Sequence, residues 1–139
     1  MVHLIVGAKG KGKTKVMHDR VNTAVRDAKG SIVYVDKNSK HMFDLNNKIR
    51  LIDASAFPIR NSDQFIGFLC GIFSQDHDLE QLYLDGFLDC AKLTADSAES
   101  AVLEIERISE MFHIDVIISF SAAPDTLSPQ LAEKVLVAL

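Results

Sequence analysis

Short apolar runs alternate with amphipathic stripes along the whole chain, and this alternation predicts the architecture. Residues 2–6 form a nearly continuous apolar run that stops at Gly7. Without polar alternation, such a run reads as a strand buried on both faces. From Lys13 the period lengthens: Met17, Val21, Ala24, Val25 and Ala28 fall on one stripe, which predicts a helix terminated by Gly30. Residues 32–35 give a second buried strand and close a βαβ unit, whose crossover is right-handed. Residues 37–47 are polar and turn-rich, and residues 49–52 read as a short strand near a sheet edge, flanked by polar and charged positions. After Pro58, the Asn61-Ser62-Asp63 cluster is placed to cap an apolar helix over residues 64–73.

The alternation continues with a strand at residues 82–84, which ends in Asp85-Gly86. Thr94 to Ser97 can cap a long amphipathic helix carrying Ala101, Val102, Ile105, Ile108 and Phe112, and residues 116–120 form the next buried strand. Ser128-Pro129 supplies a cap and a first-turn proline for a short helix over residues 129–134. Residues 135–138 can extend that helix or form a last strand; their apolar, partly β-branched character favours the strand. No repeat, low-complexity segment or linker interrupts the pattern. The expectation is a single α/β domain over residues 1–139, three-layered, with a mostly parallel, doubly wound sheet.

Composition agrees with one core: 139 residues, 47% of them hydrophobic. The net charge of −4 provides no overall basic field, so nucleic acid is not the expected partner. The dense basic run, Lys9, Lys11, Lys13 and Lys15, lies inside a glycine loop, where one triphosphate accounts for it. Apolar stretches fall short of the roughly 18 to 20 residues that a bilayer span needs, and no basic-plus-apolar leader opens the chain. A cytoplasmic protein without membrane contact is expected. Cys70 and Cys90 lack paired spacing and read as reduced thiols, and His3, His18, His41, His77 and His113 show no metal-ligand spacing.

The candidate chemistry lies in Gly7-Ala8-Lys9-Gly10-Lys11-Gly12-Lys13-Thr14, which fits Gly, four residues, Gly-Lys-Thr, the Walker A pattern. Triphosphate oxygens need several inward-pointing backbone N–H groups, so side chains must be absent where the chain wraps and positive φ must be tolerated. Gly7, Gly10 and Gly12 are expected to supply that freedom. Lys13 is placed to set its ammonium between β- and γ-phosphates, Thr14 to offer its hydroxyl to Mg²⁺, and the following helix to add its N-terminal dipole. Lys15 completes the binding segment. A chance match in a chain this long has odds of roughly one in two hundred.

With this motif between a first strand and a first helix, the chain resembles the P-loop NTPase superfamily. Within it, the chain is similar to the RecA-like branch, including the thymidine-kinase-type fold, whose chains also end in a leucine-and-alanine helix and a final strand. In length it is similar to small bacterial ATP-binding proteins labelled twitching motility ATPase. The enzymes behind that label carry an additional N-terminal domain and acidic and histidine boxes that find no counterpart in this sequence.

The resemblance implies ATP or GTP with Mg²⁺, and an acidic residue at the end of a buried strand on the metal side. Asp85 is the candidate, with Lys13, for the catalytic pair, and Thr14 and Asp85 for the metal. Asp36 and Asp53 occupy similar strand ends and read as turn or capping residues, although Asp36 reaches the site if the strand order brings it there. Relatives of this type place a glutamate after the metal-side aspartate; here the position is Gly86, with Asp89 four residues beyond Asp85. Ser119 and Ser121 are placed either to sense the γ-phosphate or to satisfy strand-end backbone groups. Lys37, Lys40 and Lys48 read as part of a polar loop.

The function expected is Mg²⁺-dependent binding of a nucleoside triphosphate with slow or conditional hydrolysis. ATP is preferred because no guanine-reading Asn-Lys-x-Asp segment is present. Two alternatives stand beside it. One is a small nucleoside or nucleotide kinase resembling thymidine kinase, with its acceptor near Asp36, Asp85 and Asp89, against which count the missing arginine-rich lid and paired-cysteine element. The other is a catalytically degenerate nucleotide-binding interaction module. A homo-oligomer or a protein partner is compatible with each.

Overall fold

The structure, a computed structural model, describes residues 1–139. Chain order runs β1 (Val2–Gly7), α1 (Lys13–Ala24), β2 (Ser31–Asp36), β3 (Arg50–Asp53), α2 (Ser62–Gln75) and β4 (Leu79–Leu84). It continues through α3 (Phe87–Ala91), α4 (Ala98–Phe112), β5 (Asp115–Ser121), α5 (Pro129–Ala132) and β6 (Val135–Ala138). The six strands pair in the order β3-β2-β4-β5-β1-β6, and every neighbouring pair is parallel. β1 and β5 run in unbroken register from Val2 opposite Val116 to Gly7 opposite Ser121.

The strands are apolar on both faces because both faces are covered. Leu4, Val6, Val33, Val35, Leu82, Leu84, Val116 and Ile118 point to one side, where they join Phe65, Leu69, Phe87, Val102 and Ile105 from α2, α3 and α4. Ile5, Ile32, Tyr34, Tyr83 and Ile117 point to the other, where Met17 and Val21 of α1 and Ile49 of the β2–β3 connection cover them. This is a three-layer α/β fold, with the sheet as the middle layer. Successive connections leave β1 and β4 on opposite faces, which opens a crevice at the C-terminal ends of the strands, the usual ligand position in such sheets. No helix is long and apolar enough to cross a membrane.

Several boundaries differ from the sequence pattern for physical reasons. α1 ends at Ala24 and not at Gly30; Val25 N–H to Val21 O and Ala28 N–H to Ala24 O close the apolar stripe as turns. Gly30 serves a different purpose: a Cβ there would stand 2.0 Å from the Asp78 carbonyl oxygen, so glycine permits two backbones to approach at the base of β2 and β4. α3 was not visible as a periodic stripe because it is five residues long. Two caps are those expected: Asn61 accepts from Gln64 N–H at 2.9 Å, and Ser128 accepts from Leu131 N–H. Thr94 and Ser97 form a reciprocal box, but it closes a single 3₁₀ turn, Ala95–Ser97, that leads into α4, whose own start has no side-chain cap. Residues 135–138 are a strand, paired on β1 at the sheet edge.

Candidate functional site

β1 delivers the glycine loop to the crevice, and α1 starts at its last lysine. Gly10 and Gly12 have φ of 85° and 94°, the left-handed region that side chains rarely adopt. Gly12 occupies the N-cap position and offers no side chain to the first-turn N–H groups of α1. Gly7 corrects the expectation that all three glycines supply positive φ, since its φ lies outside that region. Its Cα faces Leu139, whose Cβ and carbonyl oxygen would each lie 2.9 Å from an added Cβ, while Leu139 N–H bonds Val6 O at 2.8 Å. The Lys13 ammonium donates to the carbonyls of Gly7 at 3.0 Å and Ala8 at 3.1 Å. Partial burial lowers its pKa, Asp85 opposes that shift, and Lys37 adds to it.

A cleft of about 780 Å³ opens over these groups. Lys9, Gly10, Gly12, Lys13, Thr14 and Asp85 are brought together in its wall, so most of the residues singled out in sequence converge. Gly7, Ala8, Lys11 and Lys15 do not line it; Lys15 instead reaches Asp19 at 3.2 Å on the exposed side of α1. Ser119 and Ser121 do line it, as do Asp36, Lys37, Lys40, His41 and Asp89.

Asp85 is fixed by hydroxyls. The Tyr34 hydroxyl donates to Oδ2 at 2.7 Å, and the Ser119 hydroxyl donates to Oδ1 at 2.7 Å. Thr14 Oγ1 approaches the same Oδ1 at 3.4 Å across 71 residues of sequence. Ser119 Oγ also accepts from Gly86 N–H at 3.1 Å, so it ties the end of β4 to β5. Burial, with Asp85 beside it, holds the Tyr34 phenol far above its ordinary pKa, and it remains a donor.

Asp36 stands beside Asp85 because the sheet order sets β2 against β4. It is 3% exposed; Oδ1 accepts Lys37 N–H at 2.7 Å, while buried Oδ2 has no hydrogen-bond partner. Burial first, and then Asp85, pushes its pKa up to about 6. The turn role read for Asp36 is thus present, together with a place in the cleft. Asp53 keeps the capping role alone: it accepts from Ser55 N–H at 2.9 Å and does not line the cleft.

His18 lies on α1, buried and with Nε2 unpartnered, its ring 5.5 Å from Tyr34 and 5.3 Å from His41. Burial lowers its pKa. Cys90 and Cys70 are free thiols, and burial pushes Cys90 up to about 12. Sequence reasoning placed Lys37 and Lys40 in a polar loop and did not single out Tyr34. Their contribution depends on β2 lying next to β4, which no local pattern encodes.

The glycine loop thus lies between the first strand and the first helix of a three-layer α/β fold with an all-parallel sheet. No protein-family model matches the chain, and neither does any curated protein. Among solved structures it is similar to the flagellar accessory protein FlaH from Methanocaldococcus jannaschii, with a TM-score of 0.55 and 13% sequence identity over 95% of this chain. The match covers 65% of the FlaH chain, so this chain spans less than two thirds of that protein's length. At that identity the likeness carries the fold and nothing finer.

Proposed function

We propose that the cleft binds a nucleoside triphosphate, ATP in preference to GTP, together with Mg²⁺. The observation that carries this reading is the approach of Thr14 Oγ1 to the Asp85 carboxylate at 3.4 Å, directly after a lysine that already holds two loop carbonyls. An oxygen pair of this kind suits a hard cation, and the orphaned Oδ2 of Asp36 adds a third oxygen nearby. Bound Mg²⁺ would supply charge neutralisation at the phosphate oxygens. The chain's own part is to orient: Gly10 and Gly12 bare the backbone, Lys13 exchanges carbonyl acceptors for phosphate, and Tyr34 and Ser119 hold Asp85 in place.

Turnover is slow in this reading because Gly86 brings no carboxylate to the position where water is normally oriented. A second reading, phosphoryl transfer to an acceptor, is supported by a hollow of about 320 Å³ that shares Lys37, Asn38 and Asp89 with the cleft.

The test is the affinity of a fluorescent ATP analogue with and without Mg²⁺. Lys13→Ala is expected to weaken binding by about tenfold or more, and Asp85→Asn to abolish the Mg²⁺ dependence. Unchanged binding in Lys13→Ala rejects the proposal. Single-turnover assays with and without a nucleoside panel separate slow hydrolysis from transfer.

A further inference from the structure

Lys37 leaves the end of β2 and lays its methylenes across Gly86. A Cβ at position 86 would stand 3.3 Å from Lys37 Cδ, with Cγ and Cε at 3.7 and 3.8 Å. Gly86 has φ of 66°, so backbone conformation and the lysine stem both disfavour a side chain there. The Lys37 ammonium then reaches Asp89 Oδ2 on α3 at 3.2 Å. Where a water-orienting carboxylate is expected after Asp85, the chain has placed a cation instead.

This ion pair is built to be exchanged. Its side chains are 48% and 66% exposed, and each belongs to the cleft wall beside Lys13, Thr14 and Asp85. Exposed pairs of flexible side chains are weak, whereas a phosphoryl group carries more charge and more acceptor oxygens than one carboxylate. Lys13 and the loop serve phosphates that a diphosphate also has. Lys37 lies over Gly86, the residue that follows Asp85, and lines the same cleft near enough to Lys13 for the two charges to interact; next to the metal-side carboxylate, the part of a triphosphate it would meet is the terminal phosphoryl group.

We propose that Lys37 is the sensor of the terminal phosphate: it gives up Asp89 for the γ-phosphoryl group of a triphosphate in the cleft, and so sets the preference of this site for triphosphate over diphosphate. The inference rests on the nucleotide reading above.

The experiment compares Mg²⁺-ADP with the Mg²⁺ complex of a β,γ-imido ATP analogue, by calorimetric titration of the full chain. Wild type is expected to favour the triphosphate. Lys37→Met should lower triphosphate affinity about tenfold while ADP affinity stays within about twofold, and Lys37→Arg should keep most of the preference. Asp89→Asn, which removes the competing carboxylate, should raise triphosphate affinity and leave ADP unchanged. Equal losses for both nucleotides in Lys37→Met, or no loss for either, overturn the sensor while leaving the nucleotide site intact. Wild type that binds neither nucleotide overturns the site reading and the sensor with it. Circular dichroism of each variant checks that the exposed substitutions leave the fold unchanged.

Discussion

Asp36 and Asp85 end neighbouring strands, yet their surroundings are opposite in kind. Asp85 has hydroxyls from Tyr34, Ser119 and Thr14, whereas Asp36 has one backbone N–H and an orphaned oxygen. The Asp36 pKa rises from 3.8 to about 6, so the folded protein binds this proton more tightly than the unfolded chain does. The stability linked to it is therefore fully present below the unfolded value and lost as pH climbs through about 6. At pH 7 the ligand-free Asp36→Asn protein is expected to be about 1–3 kcal/mol more stable than wild type, with the gain vanishing near pH 4. Urea melts at the two pH values check this, and a destabilised variant at pH 7 contradicts it. His18 works in the other direction: its lowered pKa favours the neutral ring, so its share is present above the usual 6.5 and is lost as pH falls through the folded value. At this scale the loop from Gly7 to Thr14 was legible because its eight positions are contiguous. Asp36 was legible only as a strand-end carboxylate whose place hung on the strand order, and Lys37 and Tyr34 were not legible, since each acts through a neighbour about 50 residues away in sequence.

Element boundaries were legible where a local device marks them and misleading where a distant backbone intervenes. Asn61 and Ser128-Pro129 announce their helices, and the Thr94–Ser97 box announces the 3₁₀ turn that leads into α4, because caps answer to the next three residues alone. Gly30 resembles a helix stop, but its cause is the Asp78 carbonyl, 48 residues away in sequence. The glycines can be sorted by experiment. Gly30→Ala forces a Cβ to 2.0 Å from that oxygen and is expected to destabilise by about 3 kcal/mol or more. Gly67→Ala and Gly71→Ala lie on the exposed side of α2, where an added Cβ meets nothing within 4 Å. Each is expected to stabilise by about 0.5–1 kcal/mol through helix propensity. Thermal melts of the three variants suffice, and a neutral Gly30→Ala would show that the β2 and β4 bases yield more easily than their 2.7 Å Ser31 N–H to Asp78 O bond indicates.

At the scale of the whole molecule, the sheet is guarded unequally. The side packed by α2, α3 and α4 holds a cluster of 26 buried residues, and the α1 side holds 8. Amide exchange is therefore expected to be faster in α1 and in the β2–β3 connection than in α2 and α4, and Mg²⁺-ATP should slow exchange in the loop and the first turn of α1. Equal protection on both sides would show that buried contact number does not set local stability here. The alternation of apolar runs and stripes made the fold class legible, but not the strand order, because every buried parallel strand carries much the same apolar pattern. That order is what interposes β5 between β1 and β4 and lets Thr14 meet Asp85. One detail of the loop bears on time and not only on energy. Lys13 is held by the carbonyls of Gly7 and Ala8, so the loop keeps its curvature through its own cation. Association of a triphosphate, as proposed, would then swap one set of acceptors for another and require no prior ordering of the chain. Stopped-flow traces are expected to be single exponentials whose rate rises linearly with nucleotide concentration, without the plateau that a slow rearrangement of the loop would impose.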